Sequence, residues 1–175
     1  MIGTTTGTTY SDTLVKTGAS YYYKVRAVDN AFNRSNYTPA VKATANPRKV
    51  TVVFTVTVPS FTDASGKQVH IAGSLSKLDG GLPDWDPGAA VATLTQTDAT
   101  HWTITLTGTE AVSIEYKYAL GNGPNNWDYV EKDAGCGEVN NRPLTLTYGT
   151  NGTMNVNDTV LNWRNGDKFG GTCPN

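Results

Sequence analysis

The residues of this chain best suited to chemistry are two tryptophans in polar loops. Trp127 lies in NNWDYVEKDAGCGEVNNR, residues 125–142, which packs an indole, four acidic residues, a cysteine and four asparagines into one stretch. The stretch has no apolar periodicity, so it is too polar for a core. Trp85 lies in LDGGLPDWDPGAA, flanked by Asp84, Asp86 and two prolines. Neither loop offers much apolar surface to bury an indole, and an exposed indole wastes its area unless something covers it. Two readings stay open at this point: each ring folds back as a lid on the core, or each waits for a flat apolar ligand. A pyranose ring is such a ligand. Its C–H face suits an aromatic plane, and its hydroxyl rim suits amides, carboxylates and amines. Stacking supplies area, while the hydrogen bonds supply discrimination, because an unpaired buried polar group is costly. Trp127 has Asn125, Asn126, Asp128, Glu131 and Asn141 close by in sequence, and Lys117 faces outward on a preceding strand.

Other chemistries find less support. His70 and His101 are the two histidines, and neither lies near a G-x-S-x-G nucleophile elbow. Glycoside cleavage needs two carboxylates held across a cleft. Asp128, Glu131, Asp133 and Glu138 share one loop, where solvated charges are the simpler reading. No phosphate-cradling glycine motif is present. Cys136 and Cys173 have no zinc-ligand spacing around them, and neither a metal nor a cofactor is expected; calcium on the acidic loop, whose Asp, Glu and Asn oxygens are hard ligands, is the lesser reading because EF-hand spacing is absent. The two cysteines are either free thiols or a disulfide tying the C-terminal tail to the Trp127 loop. A bridge over that span is worth about 4 kcal/mol in the chain-entropy model.

The bulk numbers argue against two classes of partner and point to the fold class. The net charge is −1, with no basic stripe for nucleic acid. No run approaches the roughly 18 apolar residues of a membrane span. Thr, Asn and Gly are plentiful, which points to an all-β chain rich in turns. The opening MIGTTTGTTYSD reads like the middle of something larger, so a fragment of a longer, secreted protein is expected.

These loops must be carried by strands. Val50, Val52, Phe54, Val56 and Val58 alternate with threonines, a strand with one buried face. VHIAG at 69–73, WTITL at 102–106, SIEYKYAL at 113–120, PLTLTY at 143–148 and TMNVN at 153–157 read likewise, with weaker candidates at Val91–Leu94 and Trp127–Val130. In SIEYKYAL, Ile114, Tyr116, Tyr118 and Leu120 share one face, and Glu115 and Lys117 the other. Trp102 is in phase with Ile104 and Leu106 and belongs to the core, and Trp163 is read as structural. The predicted fold of residues 50–175 is an immunoglobulin-like antiparallel β-sandwich or open-sided barrel. Residues 46–49 form a linker, its proline interrupting pairing. In residues 1–45, a Tyr-rich strand around Tyr21, Tyr23 and Val25 is flanked by shorter ones at Thr13–Val15 and Val41–Thr44.

Two resemblances emerge from these motifs. Residues 10–45, with Gly18, Tyr21, Tyr23, Val25, Ala27, Val28 and Asp29, resemble the last strands of a fibronectin type III module. Tyr21 then fills the tyrosine-corner position, in a segment that lacks the strands before it. Residues 50–164 are similar to the starch-binding module of carbohydrate-binding family 20. The similarity rests on VHIAGSLSKL, DWDPGAAVATL, HWTITL, IEYKYAL, NNWDYVEK, NNRPLTLTYG and NDTVLNWR in that order. It implies a non-catalytic, monomeric module that binds α-1,4-glucan and sits in cis with the catalytic domain of a secreted amylolytic enzyme. Such modules occur in α-amylases, cyclodextrin glucanotransferases, glucoamylases and amylopullulanases. By motif, the family's glucan site falls on Trp85, Lys117, Trp127, Asp128 and Asn141. The longer insertion DYVEKDAGCGEVN after Trp127 makes Asn140 or Glu131 an alternative to Asn141. The tyrosines of the family's second site have no counterparts in TDASGKQ and TQTDAT, so that site is expected to be weak or missing. The rival readings are a structural or adhesive module without glycan preference, an auxiliary domain of a neighbouring active site, and a small hydrolase.

Overall fold

The computed structural model describes residues 1–175 except Asn122 and Asn125. Asn122 of the expected Asn122-Gly123 turn and the Asn125 expected beside Trp127 therefore lie outside the described residues. The chain divides into two units, Met1–Arg48 and Lys49–Asn175.

In the first unit, β1 (Ser20–Tyr23) pairs antiparallel with β2 (Val41–Thr44), Tyr21 standing opposite Ala43. The Tyr21 hydroxyl accepts the Lys16 N–H at 2.8 Å, and the Tyr23 hydroxyl donates to Asp12 at 3.0 Å. The expected strand at Thr13–Val15 does not form. The Asp12 carboxylate instead accepts the Leu14 N–H at 3.1 Å, a local bond that competes with strand pairing. The Tyr-rich strand also ends at Tyr23. Beyond it, hydroxyls of Thr38 and Ser35 accept the N–H groups of Val25 and Ala27.

The second unit is built from β3 (Lys49–Thr57), β4 (Val69–Gly73), β5 (Thr95–Gln96), β6 (His101–Thr109), β7 (Ser113–Leu120), β8 (Glu131–Lys132), β9 (Arg142–Thr145), β10 (Thr153–Thr159) and β11 (Asn162–Trp163). One sheet runs β10-β3-β6-β5 and a second β4-β7-β9, with β8 and β11 as a small added pair. The pairs are antiparallel except β10, which runs parallel to β3. The alternation of β3 places Val50, Val52, Phe54 and Val56 inside, all fully buried, against Ile114, Tyr116 and Tyr118 of the facing sheet. Phe54 and Tyr116 meet edge to face at 5.2 Å between ring centroids. Each such apolar side chain contributes about 1.5–3 kcal/mol when withdrawn from water.

Trp102 and Trp163 are both core residues, and Trp163 Nε1 donates to the Thr62 hydroxyl at 2.8 Å. Two weaker strand expectations turn out differently. In Val91–Leu94, the first two residues belong to a 3-10 turn over Ala90–Ala92, Thr93 makes an isolated antiparallel bridge to His70, and the Leu94 N–H bonds the Val69 carbonyl at 2.8 Å, short of a regular strand. Within Trp127–Val130, Asp128 and Tyr129 form a turn, Val130 makes an isolated antiparallel bridge to Ala119, and the strand proper begins at Glu131.

Candidate carbohydrate-binding site

The outer face of β7 positions the site. Ile114, Tyr116 and Tyr118 point into the core, so the period of two sends Glu115 and Lys117 outward. Lys117 stands opposite Ala72 of β4, and the next residue, Gly73, ends that strand. A Cβ on Gly73 would lie 2.1 Å from the Glu115 carbonyl oxygen, so only glycine lets β4 run this close to β7. The Gly73 carbonyl accepts the Trp85 N–H at 2.8 Å. Trp85 adopts φ 51, a left-handed conformation costing on the order of 1–2 kcal/mol for a residue with a Cβ. Its neighbour Asp84 anchors the turn by accepting the Ser76 N–H at 2.7 Å and the Ser76 hydroxyl at 2.9 Å. Those bonds, the backbone one foremost, hold the Asp84 carboxyl below the usual carboxylate range.

Trp127 sits in a separate loop with its own supports. Asn126 Oδ1 accepts the Asp128 N–H at 2.9 Å, an Asx turn. From the far end of the chain, Arg164 Nη1 donates to the Trp127 carbonyl at 3.5 Å, and Asn165 Nδ2 donates to the Asp128 carbonyl at 2.7 Å. The two tryptophan loops touch where a Cβ on Gly88 would stand 2.2 Å from the Gly123 carbonyl oxygen. The result is a pair of half-buried indoles with centroids 6.4 Å apart and planes inclined by 43°.

Polar groups gather on the same outer face. Lys117 Nζ donates to the Val139 carbonyl, using one of the three N–H groups of its ammonium. Asn141 Nδ2 donates to Glu115 Oε2 at 3.1 Å. Asp128, Asn140 and Asn141 are exposed. Glu131 is not available to a sugar, which corrects the expectation from sequence. It is 1% exposed on β8, where its carboxylate accepts the Tyr118 N–H at 3.0 Å and Arg142 Nη2 at 2.6 Å. Arg142 also donates to Asp158 at 3.3 Å, and Asp158 accepts the hydroxyls of Tyr116 at 2.7 Å and Tyr118 at 2.9 Å. Burial pushes both tyrosines upward, with Asp158 adding to the effect. Burial also pulls Arg142 down, but the bond and charge of Glu131 outweigh it, and the guanidinium stays above its ordinary value.

Cys136 and Cys173 form a disulfide with their Cα atoms 5.3 Å apart. It pins the insertion after Trp127 to the C-terminal segment, where Cys173 is fully buried. Within that insertion, the Asp133 carboxylate accepts the N–H groups of Gly135 at 2.8 Å and Gly137 at 2.7 Å. Arg164, Asn165 and Glu115 were not singled out from sequence as parts of the site. Only the outward phase of Glu115 on β7 could have drawn notice to it.

Tilted, water-accessible aromatic planes beside an amine and an amide can stack on successive sugar rings and bond their rims. The class this defines is a carbohydrate-binding module on a β-sandwich. Comparison with known families narrows it. The model of the starch binding domain, carbohydrate-binding family 20, matches residues 49–154, and the chain belongs to that family. Over 157 residues, 89% of this chain, it is 42% identical to an amylopullulanase of Thermoanaerobacter thermohydrosulfuricus. It is 41% identical, over the same share, to an amylopullulanase of Thermoanaerobacterium thermosulfurigenes. The chain spans 10% and 8% of the lengths of these relatives. Among solved structures it is similar to a family 15 glucoamylase from Hypocrea jecorina, at 23% identity and a TM-score of 0.48, covering 68% of this chain and 18% of that one. It is also similar to the family 20 module of the maltotetraose-forming amylase of Pseudomonas saccharophila, at 16% identity and a TM-score of 0.40, covering 63% and 99%.

Proposed function

We propose that this starch-binding module holds an α-1,4-glucan on the Trp85–Trp127 pair, with Lys117, Asp128, Asn140 and Asn141 bonding the hydroxyl rim. The observation that carries the reading is the 43° inclination of two water-accessible indoles. An α-1,4 chain curls, and two inclined planes follow a curl better than one flat strip. The module acts as a monomeric appendage in cis to the catalytic domain of a secreted amylolytic enzyme, and raises that domain's effective concentration at an insoluble polymer. The amylopullulanase relatives support this parentage, and the disulfide supports an oxidising destination. Residues 1–45 serve as a fibronectin type III-like spacer. The Tyr21 hydroxyl bonding backbone upstream supports that reading.

The test is retention on insoluble starch and titration with β-cyclodextrin, for the unsubstituted chain and for Trp85→Ala and Trp127→Ala. Lost binding at unchanged melting temperature is the expected result. Retained binding in both variants would overturn the assignment of the site.

A further inference from the structure

A groove of about 420 Å³ lies along the outer face of the second sheet, and Trp85 is among the residues that line it. Its floor comes from outward side chains of β7 and β9 that face each other across the ladder: Ser113 opposite Thr145, and Glu115 opposite Pro143. Lys77, at the end of the 3-10 turn Leu75–Lys77, also lines the groove and donates to the Ser113 carbonyl at 3.1 Å. The Ser113 and Thr145 hydroxyls are bonded to each other at 2.7 Å.

The lining mixes two kinds of surface. Trp85 and Pro143 are apolar, while Lys77, Glu115 and the paired hydroxyls are donors and acceptors. That mixture is what a pyranose requires, and the volume lies within the roughly 300–1,000 Å³ of small-molecule sites. The groove is also continuous with the tryptophan pair. Trp85 belongs to both, and Glu115 of the groove accepts the Asn141 amide of the proposed glucan site at 3.1 Å.

We propose that this groove is an extension subsite, taking a further glucosyl unit of a linear α-glucan as the chain leaves the indoles past Glu115. The proposal rests on the Trp85–Trp127 reading and deepens it. Its consequence is a preference for linear chains at this position, because a closed cyclodextrin ring seated on the indoles cannot feed a residue into the groove.

The experiment is calorimetric titration of the 175-residue chain with maltoheptaose and with β-cyclodextrin. Two variants are compared with the unsubstituted chain: Lys77→Ala, which removes a donor, and Thr145→Leu, which fills the groove and removes a hydroxyl. Each variant should bind maltoheptaose about fivefold more weakly and β-cyclodextrin unchanged. Undiminished maltoheptaose binding in both variants, with normal β-cyclodextrin binding, overturns the groove alone. So does an equal loss for both ligands, which would mean that these residues act on the indole pair. Failure of the unsubstituted chain to bind β-cyclodextrin overturns the indole reading, and the groove with it.

Discussion

Arg142 Nη2 lies 2.6 Å from Oε2 of Glu131, a carboxylate that is 1% exposed. This pair, its carboxylate buried and its guanidinium partly exposed, fastens β9 to β8 immediately beside Asn141, the residue that reaches Glu115 on the outer face. The side of the sheet facing the core and the side facing the ligand are thus coupled within two consecutive residues. Replacing Arg142 by Ala leaves the buried Glu131 carboxyl with the Tyr118 N–H but without its cation, which costs about 3–5 kcal/mol. Urea unfolding should show a loss of that size, and Glu131→Gln, which keeps the shape without the charge, should lose less.

The four tryptophans should divide into two classes. Trp85→Ala and Trp127→Ala should weaken β-cyclodextrin binding by about tenfold or more while leaving the melting temperature nearly unchanged. Trp102→Ala should behave oppositely, because that ring is 2% exposed and its loss leaves a cavity. A stability loss of about 3–5 kcal/mol is expected there, read by calorimetry.

Gly88 should be intolerant of a side chain. A Cβ there would stand 2.2 Å from the backbone oxygen of Gly123, so the loops bearing the two indoles must part. Gly88→Ala is expected to cost about 1–3 kcal/mol by overpacking and to weaken β-cyclodextrin binding at a temperature where the variant is fully folded. Full binding at that temperature would show that contact between the loops does not set the indole spacing.

His70 makes the fold acid-sensitive in a defined direction. It is 6% exposed, and burial lowers its pKa from 6.5, partly offset by the Ala89 carbonyl and by Asp86. The unfolded chain therefore binds the proton more readily than the folded one. Stability is fully present above the unfolded value of 6.5 and falls as the pH drops through 6.5 toward the lowered folded value. Melting temperatures measured from about pH 7.5 to 5.5 should decline, and His70→Gln should flatten the decline. An identical slope in the variant would assign the sensitivity to other groups.

The local alternation of side chains was legible in the sequence, and so was much that follows from it. The strands β3, β4, β6, β7 and β10, the burial of Trp102, the outward phase of Lys117 and the polar loops of Trp85 and Trp127 are all short-range consequences of a period of two and of turn chemistry. Tertiary structure decided the rest. Whether β10 would lie parallel or antiparallel to β3 depends on the path of the intervening chain, which no local pattern encodes. Glu131 looks like any loop carboxylate in sequence, and it turns inward because Arg142 and the Tyr118 N–H meet it there. The inclination of the two indoles rests on Gly73, Gly88, Arg164 and Asn165, residues distant in sequence from one or both rings. Residue types and phase are local properties, but the angle between two side chains on different loops is set by whatever holds each loop, and those partners exist only once the chain has folded.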